Sequence, residues 1–157
     1  MLEDLLRLAH VVGATVLFGT GAGIAFFMLM ANRTREARLI AHVSATVVIA
    51  DTLFTATAAI LQPITGAWLA HLIGWPLTTE WIAFSLGLYV VVGLFWLPVV
   101  WIQIQLRDMA RVAAARDEPL PERYHRLYRI WFAFGFPAFL SMIGILYLML
   151  IRPDPVL

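Results

Sequence analysis

The sequence predicts an all-α fold, an integral membrane four-helix bundle forming a single domain over residues 1–157. Three observations carry that expectation. The chain is 62% hydrophobic and only 13% charged, whereas soluble domains run near roughly 45–50% and about 25%. It lacks the polar side chains needed to cover itself in water. Its charges fall in bands that leave four long apolar stretches. Those stretches show no strand-like alternation, and in lipid a helix satisfies its own backbone.

Each span follows from a charge gap. Helix one is predicted at about 5–31, because 25 residues without a full charge separate Arg7 from Arg33. Helix two is predicted at 40–62, inside a 41-residue gap between Arg38 and Glu80 broken only by Asp51. Helix three, 81–106, fills the 26 residues between Glu80 and Arg107, and helix four, 124–150, contains the 22 between Arg129 and Arg152. Roughly 20 apolar residues are enough to cross a bilayer core. Residues 63–75 are uncharged and contain Pro63 and Gly66. They read as an outer interfacial segment, either a kinked extension of helix two or a short helix lying in the interface. Inner loops are expected at 32–39 and 107–123, where Pro119 and Pro121 stop one helix and start the next.

Orientation comes from the arginines. All eleven basic residues are arginine, and nine of them stand at the two inner loops. Positive loops stay in the cytoplasm, which puts both termini outside. The acidic start Met1-Leu2-Glu3-Asp4 is unlike the basic front of a cleaved signal peptide. Trp68, Trp75 and Trp81 are expected in the outer aromatic belt, and Trp101, Tyr124, Tyr128 and Trp131 in the inner one. Cysteine is absent, which excludes disulfides and thiolate chemistry. The net charge of +1 argues against nucleic acid as a partner. The bilayer is the expected partner, with room for a homodimer.

Polar residues in a span should face other helices. Helical spacing puts Ser44, Asp51, Thr55 and Gln62 on one face of helix two, and Ser85, Tyr89, Trp96 and Gln103 on one face of helix three. His10, Ala14, Leu17 and Gly21 share a face of helix one, with Gly13 beside it, and Pro137, Ser141 and Gly144 share a face of helix four. Packing accounts for most such positions, and Gly19 with Gly23 makes a common helix-contact pair. Asp51 is costly in mid-span and reads either as a proton or ion site or as a structural lock. His42 and His125 sit at inner helix ends beside arginines. His10 lies deeper, with Gly13 and Ala14 at +3 and +4. A flat macrocycle needs an axial imidazole beside a surface without bulk, which these residues provide.

Leu8-Ala9-His10-Val11-Val12-Gly13-Ala14, Ala50-Asp51-Thr52-Leu53-Phe54-Thr55, the run from Leu61 to Leu69 and Leu97-Pro98-Val99-Val100-Trp101-Ile102-Gln103 resemble a group of bacterial integral membrane proteins of unassigned function. More distantly, the chain is similar to HemJ-type protoporphyrinogen oxidases and CopD-like copper-resistance proteins, which are also four-helix membrane units. His10, Pro63 with Gly66-Ala67-Trp68-Leu69, the Tyr124–Phe132 stretch, Pro137 and Arg152-Pro153 match HemJ-type features. That resemblance implies haem binding by His10. The chain departs from the pattern near Glu80–Ser85, which lacks the family's His and Lys. Phe134-Gly135-Phe136 replaces its Asn-Glu pair.

The leading expectation is a protein of the bacterial inner membrane, its termini periplasmic or extracellular, that binds haem b in its outer half for a redox or porphyrin-related role. His10 and His71 are the expected axial ligands, with Gly13 and Ala14 alongside. Glu80 and Gln62 are candidates for holding propionates or a quinone-like or electron-transfer partner. Two other readings stand beside it. One is a proton- or ion-coupled transporter using Asp51 with Thr55 and Ser44. The other is a non-catalytic membrane subunit or assembly factor acting through the arginine-rich loops.

Overall fold

The computed structural model describes residues 1–152. Four helices long and apolar enough to cross a membrane make up almost all of it: α1 (Leu2–Thr34), α2 (Ala37–Ile73), α3 (Glu80–Arg116) and α4 (Glu122–Ile151). No strand occurs among the described residues. Helices α1, α3 and α4 are each longer than their charge gaps, whereas α2, at 37 residues, stops short of its gap's end. The 37 residues of α3 span roughly 55 Å, against about 30 Å of hydrocarbon. Its charged last turns, with Arg107, Arg111 and Arg116, therefore continue the helix where a loop over 107–123 was expected.

Helix ends follow local rules. Arg35, Asp117 and Arg152 adopt left-handed conformations that close α1, α3 and α4, and Gly74 does the same for α2. The turn between α1 and α2 is short, so most of the expected loop 32–39 is helical. Both arginine-bearing turns lie at one end, where Arg38 pairs with Asp117 at 3.3 Å. The first turns of α1 and the last turn of α4 lie at the other, where Arg7 and Arg152 line one cleft. These ends are called here the arginine end and the terminal end.

The segment 63–75 is not separate from helix two. Helix continues through Pro63 to Ile73. Proline has no N–H, which frees the carbonyl four residues earlier. That carbonyl belongs to Ala59, and the Tyr89 hydroxyl of α3 donates to it. Upstream, Asp51–Thr55 form a π-turn in which the Ala56 N–H donates to the Asp51 carbonyl, five residues back. Such a turn adds a residue and rotates the helix beyond it. The stripe Ser44, Asp51, Thr55, Gln62 meets two different helices. Ser44 Oγ bonds Met28 Sδ on α1 at 3.5 Å, Asp51 meets Trp96 on α3, and Gln62 packs on Gly13 of α1.

The main core sits in the arginine half, around Met28, Ile40, Leu106, Ala110, Tyr124 and Trp131. Tyr124 and Trp131 were expected in the inner belt, but both are buried. Each ring has found a partner for its polar tip: the Tyr124 hydroxyl donates to Asn32 Oδ1 at 2.8 Å and Trp131 Nε1 to Gln103 Oε1 at 2.9 Å. The buried face of α4 runs through Tyr124, Trp131 and Met142, displaced from the half-buried Pro137, Ser141 and Gly144. The terminal half has only a small cluster, Leu17, Ala58, Val92 and Met142. There α2 stays against α1 while its contact with α3 is largely lost.

Candidate functional site: two clefts in the terminal half

Splaying α2 away from α3 leaves two clefts. The outer one, about 550 Å³, is lined by His10, Ala14, Gln62, Gly66, Trp81 and Met149, among others, with Arg7 and Arg152 at its rim. The inner one, about 480 Å³, is lined by Asp51, Thr55, Tyr89, Trp96, Gln103 and Trp131, among others. Leu17, Phe18, Tyr89 and Met142 line both. The glycine run of α1 serves these clefts. Gly19 lines the outer and Gly21 the inner, and a Cβ at Gly19, Gly21 or Gly23 meets nothing within 4 Å. Among the described residues, Gly19 and Gly23 therefore make no close helix contact.

His10 is held by α2. Its Nδ1 lies 3.0 Å from Thr65 Oγ1. Thr65 Oγ1 in turn donates to the Leu61 carbonyl at 2.8 Å. A Cβ on Gly66 would stand 2.9 Å from His10 Cε1, so glycine is what admits the imidazole so close to α2. Gly13 does the same for Gln62, whose Oε1 would lie 2.9 Å from an added Cβ. Gly13 thus belongs to the α1–α2 contact rather than to the cleft surface expected of it. Ala14 does line the cleft.

The other expected residues divide clearly. Asp51, Thr55 and Gln62 are brought to the clefts. Glu80 is exposed at the start of α3 and lines neither. His71 is exposed near the end of α2 and also lines neither, so the same side of the bundle does not mean the same cleft. Among the described residues no group of three or more His, Asp and Glu side chains converges as a metal cage. Met142 and Met149, set apart from His10 by sequence distance, do line its cleft. So does Trp81, whose Nε1, like Gln62 Oε1, is buried without a hydrogen-bond partner among the described residues. No spacing pattern marked Trp81 or the methionines, because they reach the cleft only through the α3–α4 pairing.

A family profile described as "Predicted integral membrane protein (DUF2269)" matches residues 4–153. The chain belongs to this family of integral membrane proteins. No curated protein and no solved structure matches it. The family description agrees with the four apolar helices.

Proposed function

We propose that the protein binds b-type haem in the outer cleft, with His10 as an axial ligand, in a redox or porphyrin-related role. The observation that carries this reading is the seating of His10. Its Nδ1 is tied to Thr65 while the ring lines an apolar cleft of about 550 Å³. Metal-bound imidazoles characteristically use one ring nitrogen for a hydrogen bond and the other for the metal. Cofactor sites occupy about 300–1,000 Å³. Arg7, paired with Glu3, and Arg152 stand at the rim, where carboxylates of an amphipathic ligand would lie. Met142 and Met149 offer soft second ligands in place of His71. The distant HemJ-type resemblance supports the same assignment of His10.

Bound haem supplies one-electron chemistry. The chain's residues orient the imidazole, balance charge at the rim and keep the cleft dry. Purified protein is expected to show a Soret band that His10→Ala abolishes and Thr65→Val weakens. A colourless preparation from haem-replete cells overturns the assignment. The arginine asymmetry supports a bacterial inner-membrane setting with the terminal end outside.

The position of Asp51 favours a second reading, an ion-coupled transporter. Asp51 lines the inner cleft beside Trp96, at the level where the closed core begins. That reading expects a proton flux lost in Asp51→Asn and retained in His10→Ala.

A further inference from the structure

The inner cleft carries recognition groups that the His10 reading does not use. Thr55 is 3% exposed and Gln103 2%, and both line the cleft. Gln103 Nε2 nevertheless has no hydrogen-bond partner among the described residues, and Thr55 Oγ1 makes no bond of normal geometry there, its nearest polar neighbour being the Asp51 carboxylate. Gln103 is oriented by Trp131, which donates to its Oε1 at 2.9 Å. That bond leaves the amide donors without a protein acceptor. Asp51 adds an acceptor, already bonded by Trp96 Nε1 at 3.3 Å. Unpaired buried polar groups are costly, and a ligand that pairs them gains accordingly.

The rest of the wall selects the ligand class. It is aromatic, with Phe18 stacked on Phe139 at 4.9 Å between ring centroids and with Tyr89 and Trp96 nearby. No arginine lines this cleft, so an anionic headgroup would be unpaired there. A plain acyl chain would leave Gln103 and Thr55 unsatisfied. A flat ring with carbonyl or hydroxyl oxygens on its edge meets both demands.

We propose that the inner cleft binds the head ring of a lipophilic quinone or quinol. Gln103 Nε2 and Thr55 Oγ1 pair with its ring oxygens, and the π-turn is the device that presents Asp51 and Thr55 to it. Residues shared with the outer cleft give the tail an apolar route. This site is independent of haem at His10.

The test is titration of decylubiquinone into the full chain in phosphatidylcholine nanodiscs, read by tryptophan fluorescence. Saturable quenching is expected. Thr55→Val should weaken it about fivefold with an unchanged or higher unfolding midpoint, because the hydroxyl it removes makes no hydrogen bond of normal geometry among the described residues. Gly93 lines the cleft, and a Cβ there meets nothing within 4 Å, so Gly93→Leu should fill the space and abolish saturation. His10→Ala should leave the titration unchanged, and so should a protein found to be colourless. Non-saturating quenching shared by all variants overturns the proposal. So does weakened binding in Thr55→Val accompanied by a lower midpoint, or a loss in His10→Ala equal to that in Gly93→Leu.

Discussion

The arginine half and the terminal half use the same four helices and pack them in opposite ways. In the first, Met28, Ile40, Leu106 and Tyr124 are essentially inaccessible, and the long polar side chains Asn32, Gln103, Tyr124 and Trp131 bond across the helices. In the second, His10, Gln62 and Tyr89 are only half-buried; the outer cleft occupies the space a core would fill, and the inner cleft straddles the boundary, reaching Gln103 and Trp131 at the edge of the closed core. The boundary is the π-turn at Asp51–Thr55. Lipid gives helices no hydrophobic reason to associate, so packing and hydrogen bonds decide where they close. Closure at one end holds the bundle, and α2, beyond its π-turn and carrying Pro63, loses its contact with α3 at the other.

Substitutions should reveal this asymmetry. The largest effect is expected for Tyr124→Ala, which empties a fully buried ring site and strands Asn32 Oδ1. It should cost about 3–5 kcal/mol in a detergent unfolding titration. Gly66→Ala should cost less, about 1–3 kcal/mol, since its methyl meets the His10 ring. It should also displace His10 and weaken any Soret band. Smallest is Gly21→Ala, whose methyl enters open space in the inner cleft. It should change stability by no more than about 0.5 kcal/mol. An inverted order would remove the distinction between the halves.

Much of the fold was legible in the sequence because charge is expensive in lipid. Gaps between Arg7, Arg38, Glu80, Arg107, Arg129 and Arg152 mark all four spans. Helix ends were less legible, since charged turns such as Arg107–Arg116 extend a helix beyond the bilayer as readily as they form a loop. Periodicity placed Asp51, Thr55 and Gln103 inside, and all three are buried. It also placed Gln62 inward, where it packs on Gly13 of α1, but the π-turn at Asp51–Thr55 has no sequence mark. Gly13 and Gly66 illustrate the remaining ambiguity. A glycine near a histidine reads equally as room for a ligand and as room for a neighbouring side chain, and here Gln62 and the His10 ring take that room.

The native chain has no cysteine, so single introduced thiols report on packing against a silent background. The most direct measurement compares maleimide labelling of Ala14→Cys, on the outer cleft, with that of Ala110→Cys, wholly inside the arginine-half core. Rapid modification at position 14 and none at 110 in the folded, haem-free protein is the expected result. Equal protection, or equal labelling, of the two would contradict a bundle that is closed at its arginine end and open at its terminal end.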